Sequence, residues 1–172
     1  MPPAKFTFSL PPPFEEAVRS LEHEIMRFLL RTTGDREDSL DLFQETWLRA
    51  YRAYPTLKSE DGLRPWIFRI ASNLCRNRSR DRTRRARVIA NDGRDVALDE
   101  ERAAAATRSS PDGALHLKDM VARLPGKQGR ALMMRKFGGL EYHEIAAALD
   151  CSAESARASV YQALKKLKAA AR

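Results

Sequence analysis

The chain has 172 residues, 43% of them hydrophobic and 31% charged, with a formal net charge of +8. That apolar share supports packed cores and excludes a wholly disordered chain, and the length allows one domain or two small ones. No stretch approaches the roughly 18 apolar residues of a membrane helix, which excludes a transmembrane helix, and "MPPAKFTFSLPPP" has no long apolar core, so no signal peptide is expected.

The positive balance points to a polyanion partner, either nucleic acid or an anionic surface. It is unevenly spread. Residues 1–89 hold 17 basic and 12 acidic side chains, residues 90–113 hold 3 and 6, and residues 114–172 hold 11 and 5. Two basic blocks therefore flank an acidic spacer. The two cysteines, Cys75 and Cys151, have no metal-type spacing and make no disulfide framework, which fits a reducing cytoplasm. No metal and no cofactor is expected. His23, His116 and His143 are scattered, so the pattern of a nuclease or other enzyme is missing.

Residues 1–13 form an arm closed by Pro11, Pro12 and Pro13. Phe14, Val18, Leu21, Ile25, Phe28 and Leu29 then recur at helical spacing until Gly34. Asp35 is placed to cap a second helix, with Asp38 adding negative charge to its first turn. That helix carries Leu40, Phe43, Trp47, Leu48 and Tyr51 and stops at Pro55. "PTLKSEDGLRP" reads as a loop. The next helix, "WIFRIASNLCRNRSRDRTRR", has a packed stripe of Ile67, Ile70, Ala71 and Leu74. Beside it runs a face of Trp66, Arg69, Asn73, Arg76, Asn77, Arg80, Arg84 and Arg87. Between Arg76 and Arg87 there are seven arginines and one acid, Asp81. A charge run is most often a solvated face. Here arginine can neutralise phosphate, the amide can read a base edge and the aromatic can stack on an unpaired base.

Residues 90–113, rich in Gly, Ser, Ala and acids, read as a linker. Four helical segments follow, at about 114–124, 127–137, 141–149 and 153–171. Within "GLEYHEIAAALDCSAESARASVYQ" the small face of Ile145, Ala146, Ala148 and Leu149 meets a tight turn and a second helix. That is a helix-turn-helix over residues 142–161, opening at Tyr142 and closing at Tyr161. Ala153, Ala156, Val160, Ala163, Leu164 and Leu167 form its inward stripe, and Glu154, Arg157, Tyr161, Lys165 and Lys168 lie outward. No strand pattern is visible. The expected fold is all-α: two small helical domains, 14–89 and 114–172, joined by a flexible acidic linker, the second a helix-turn-helix.

At this point a family resemblance appears. "GDREDSLDLFQETWLRAYRAY", "LRPWIFRIASNLCRNRSRDRTRR" and "LPGKQGRALMMRKFGGLEYHEIAAALDCSAESARASVYQALKKL", in this order, resemble the polymerase-binding helix, the promoter −10 helix and the −35 helix-turn-helix of the extracytoplasmic-function (ECF) sigma factors, small bacterial RNA polymerase specificity subunits. The resemblance covers about residues 14–88 and 114–168. It implies a cytoplasmic, non-enzymatic factor that binds core polymerase, directs it to promoters, duplex at −35 and partly single-stranded at −10, and answers to an anti-sigma factor.

The resemblance also implies sites. Asp41, Gln44 and Glu45, around Leu42 and Phe43 and followed by Leu48 and Arg49, match the core-binding positions. Trp66 and Asn73 match −10 positions, and Arg69, Arg76, Asn77 and Arg80 share their face. The loop 57–63 matches the segment that receives a flipped base. Glu154, Ser155, Arg157, Ala158, Tyr161, Gln162 and Lys165 lie along the −35 recognition helix.

Some positions depart from the family. Ser159 and Gln162 stand where basic residues are common, and Arg64 and Pro65 differ from the usual loop residues. Glu154 is open to pairing with Arg157, accepting from a cytosine amine, or favouring the helix N-terminus. Two other readings stay open. One is a simple helix-turn-helix regulator, which leaves "DLFQETWLRAY" without a use. The other is a sigma-like mimic that sequesters an anti-sigma protein.

Overall fold

The computed structural model of the protein describes residues 10–91, 121 and 123–170. Among them are six α-helices and no strand: α1 (Phe14–Thr33), α2 (Arg36–Ala53), α3 (Leu63–Asn91), α4 (Gly126–Lys136), α5 (Tyr142–Leu149) and α6 (Ala153–Ala170). None of the described helices is long and apolar enough to cross a membrane. The arm residues 1–9, the linker stretch 92–113 and the expected helical stretch 114–120 lie outside the described residues. Residues 90 and 91, read as linker, continue α3.

Local signals set the helix ends. Gly34 ends α1 in the left-handed region, φ 67°, where its N–H donates to the Leu30 carbonyl at 2.9 Å. The Asp35 carboxylate accepts from the Asp38 N–H at 2.8 Å and caps α2. The segment expected as loop holds two 3₁₀ turns, Tyr54–Thr56 and Glu60–Gly62, and the first turn of α3. Pro65 is tolerated there because first-turn N–H groups have no intrahelical acceptor to lose.

α1, α2 and α3 pack together around Leu21, Ile25, Phe28, Leu29, Leu42, Trp47, Ile67 and Leu74. The α2 stripe is corrected. Ser39, Leu42, Thr46, Trp47 and Ala50 are buried, whereas Leu40, Leu48 and Tyr51 are exposed. Thr46 and Ser39 hide their hydroxyls by donating to the Leu42 and Asp35 carbonyls, so polar residues fill the seam against α1 and α3. α4, α5 and α6 form the second bundle, around Leu132, Met134, Leu140, Ile145, Ala156, Val160 and Ala163. Ala153, expected inward, is exposed at the first turn of α6, ahead of the stretch that crosses α5.

The two bundles touch. α3 packs on α5, and the buried arc of α3 is wider than the expected stripe, since Phe68 is 0% exposed. Phe68 meets Phe28 edge-on at 5.2 Å on one side and the α4–α5 turn at Gly138 on the other. A Cβ on Gly138 would lie 2.6 Å from the Phe68 ring, which shows how closely the bundles approach.

Candidate nucleic-acid interface

The arginine run of α3 serves two sides of the helix. Arg78 and Arg82 reach back to α2, where both pair with Asp38, Arg78 at 2.9 Å. Arg78 also lies 3.9 Å from Asp41. Sequence spacing along α3 gave Asp81 as the run's only acid; the structure adds these two from α2. Between α2 and α3 runs a groove lined by Asp41, Leu42, Gln44, Glu45, Leu48 and Arg49 from one wall and Leu74, Asn77, Arg78 and Asp81 from the other. Six of the seven expected core-binding residues meet there. Leu42 forms its buried floor and Leu48 is exposed. Glu45 accepts from Arg49 at 2.6 Å along one helix face. Phe43 is the residue left out, packed against Trp47 with ring centroids 6.1 Å apart.

The expected −10 face is divided. Asn77 turns to the groove just described. Trp66 packs partly buried against the core beside Tyr54, with ring centroids 6.2 Å apart. Arg69 donates to the carbonyls of Ala148, at 3.0 Å, and Ala147 at the end of α5. Asn73 accepts from Arg130 of α4 at 3.3 Å. Arg76 keeps a buried Nε–H that has no acceptor among the described residues. Arg80 is exposed. Burial, then the nearby charges of Arg76 and Arg80, push the Arg130 pKa below its ordinary value. Arg76, Arg80 and Arg130 therefore make a seam of like charge between the bundles, suited to an anion. Arg130 escaped the sequence reading because it lies 57 positions from Asn73, on a different bundle.

In the second bundle, Glu141 and Glu144 close a capping box at the start of α5. Asp150 turns the chain in the left-handed region, φ 54°, and the Cys151 N–H returns to the Ala146 carbonyl at 3.0 Å. Small buried Ala146, Ala148, Ala156 and Ala163 let α5 and α6 cross closely. Glu154, Arg157, Ala158, Tyr161, Gln162 and Lys165 are all exposed along one side of α6. Ser155 is half-buried and accepts from Lys127 at 3.0 Å. The Arg157 guanidinium rests over the Tyr142 ring, 5.2 Å from its centroid. Ser159 is buried and donates to the Ser155 carbonyl at 2.8 Å, so it is a packing position here.

Two family models match this chain: sigma-70 region 2 over residues 17–85 and sigma-70 region 4 over residues 115–167. The chain belongs to the sigma-70 family. Among curated relatives, this sigma factor is 28% identical over 158 residues to the RNA polymerase sigma-H factor of Pseudomonas aeruginosa, covering 87% of the chain and 81% of that protein. It is 29% identical over 133 residues to the ECF RNA polymerase sigma-E factor of Escherichia coli, covering 73% and 70%. It is an ECF-type RNA polymerase sigma factor. In fold it resembles the solved structure of CnrH in complex with the cytosolic domain of CnrY, at TM-score 0.64, 20% identity and coverage of 91% and 85%. It also resembles the sigma factor RpoE in complex with the anti-sigma factor NepR from Bartonella quintana, at TM-score 0.63, 19% identity and coverage of 90% and 94%. The region 2 match spans α1–α3 through Arg85, and the region 4 match spans the helix-turn-helix.

Proposed function

We propose that this sigma factor docks on core polymerase through the α2–α3 groove, receives the opened −10 strand on the neighbouring side of α3, and meets the −35 duplex with α6. The observation that carries this assignment is the division of α3. Its Asn77–Arg78 edge faces an acidic and amide wall suited to a basic helical partner. Its Arg69–Asn73–Arg76–Arg80 side bears cationic and amide groups with no carboxylate among their described partners. Holding an extruded base costs a few kcal/mol. Stacking, at about 1–3 kcal/mol per base, and phosphate contacts offset it. On this reading the protein works by binding alone, in the cytoplasm, and is held in check by an anti-sigma partner of the kind seen with the Bartonella sigma factor.

Two experiments test the reading. Asp41→Lys with Glu45→Lys should weaken core binding in a pull-down while leaving duplex binding by α6 intact; unchanged core affinity refutes the groove assignment. Asn73→Ala should reduce permanganate reactivity of unpaired thymines at a cognate promoter more than it reduces duplex binding. An unchanged footprint removes Asn73 from the −10 site.

A further inference from the structure

Arg157 is the one cation in the first two turns of α6, the part of a recognition helix that reaches base edges. A guanidinium there can spend its N–H donors on Glu154, one turn back, or keep them for DNA. The structure takes the second course. Among the described residues no ion pair joins Glu154 to Arg157. Arg157 crosses instead to α5, where it lies over the Tyr142 ring, 5.2 Å from its centroid. That attraction is electrostatic and needs no hydrogen bond. It fixes the end of a long, rotatable side chain and leaves the in-plane N–H donors unspent.

The ring is itself braced. Tyr142 opens α5 and packs partly buried against the core of the second bundle. Arg135 of α4 lies over the same ring, 5.0 Å from its centroid. Arg135 in turn donates to the Glu141 carboxylate at 2.8 Å and to the Leu140 carbonyl at 2.9 Å. One ring therefore joins α4, α5 and α6. Of the two guanidiniums that share it, Arg135 has its carboxylate within the protein, and Arg157 is left for an acceptor from outside. A fork held in place before DNA arrives loses less conformational freedom on binding.

We propose that Tyr142 is a positioning residue for −35 recognition: its ring holds the Arg157 guanidinium away from Glu154, with the donor fork free for a pair of acceptors on the duplex (phosphate oxygens, or guanine O6 and N7). The inference rests on the −35 assignment of α6. An exposed cation–π contact corresponds to about two- to fivefold in a binding constant.

The test uses holoenzyme reconstituted from the full chain and core polymerase. Fluorescence anisotropy reads its affinity for a duplex carrying the −35 sequence that the native holoenzyme selects from a random library. Tyr142→Leu should weaken binding about two- to fivefold, and Tyr142→Phe, which keeps the ring, should restore it. In an Arg157→Ala background Tyr142→Leu should add no further loss. Phenylalanines with one, two and three ring fluorines at position 142 keep the ring and drain its negative face, so affinity should fall step by step. This series reads the ring's charge even where Tyr142→Leu fails to fold. A flat fluorine series, or the same Tyr142→Leu loss with and without Arg157, overturns the proposal. So does an Arg157→Ala holoenzyme that binds as tightly as the native one while Lys165→Ala binds more weakly, a result that leaves the −35 reading standing. A native holoenzyme that selects no −35 sequence overturns that reading and the proposal with it.

Discussion

Gly138→Ala tests the closeness of the two bundles most directly. The added Cβ would meet the Phe68 ring at 2.6 Å, the Met134 carbonyl at 2.8 Å and Leu140 Cδ1 at 2.9 Å, all below the approach that real Cβ atoms make. None can give way cheaply. Phe68 and Leu140 are fully buried, Phe68 is braced by Phe28, and the Met134 oxygen is backbone that already accepts from Leu140 at 3.1 Å. Overpacking of this kind costs about 1–3 kcal/mol. Loss of glycine's unfolded-state freedom offsets about 0.4–1 kcal/mol. The net expected loss is about 1–2 kcal/mol, a fall in Tm of roughly 2–8 °C for a chain of this size. Gly126→Ala is the internal control. It lies in the first turn of α4 with nothing within 4 Å of its added Cβ, so the same change there should be neutral or stabilise by up to about 1 kcal/mol. Urea unfolding of both variants reads the difference. A Gly138→Ala protein as stable as the native chain would refute the packing at Phe68.

Asp35→Ala should cost about 1 kcal/mol in the same titration, because the α2 cap at the Asp38 N–H is lost, and Asp35→Asn should recover most of it. Burial pushes the Cys75 thiol up to about 12, so at pH 8 roughly one molecule in ten thousand carries the thiolate there. Alkylation mapped by mass spectrometry should spare Cys75 until the protein is unfolded. Against the pull of burial, hydrogen bonds from Arg64 of α3 and from the Glu141 N–H hold Glu144 below its ordinary value of 4.5, so its ionised form is favoured by folding. The stability difference between the native chain and Glu144→Gln should hold constant above pH 4.5 and shrink as pH falls below it. Arg80→Ala should lower the slope of log affinity against log salt for single-stranded DNA by about 0.7, the share of one phosphate contact.

The helices were legible in the sequence because their signals are local. The spacing from Phe14 to Leu29, the Asp35 cap, the Gly34 stop and the small residues of α5 act within one or two turns, and the structure has each where the pattern predicts it. The motif order that carries the family is also local, and the two family models match the same blocks. The α2 stripe was misread because period alone ranks Leu40 and Leu48 above Ser39 and Thr46. Burial of those hydroxyls depends on the backbone carbonyls they donate to.

What the arginine run does was decided by tertiary structure alone. A helical wheel puts Arg69, Asn73, Arg76, Asn77 and Arg80 on one face, but it contains no neighbours. α2 supplies Asp38 and Asp41 to Arg78, α5 supplies the carbonyls for Arg69, and α4 supplies Arg130 to Asn73. Each partner lies some 37 to 79 positions away in the chain, so no periodicity within α3 could name it. By itself the sequence determined which helices form, in what order, and to which family they belong, since those follow from short-range chemistry. Which faces remain open to polymerase and DNA, and that Arg64 joins the two bundles, depends on surfaces brought together by folding.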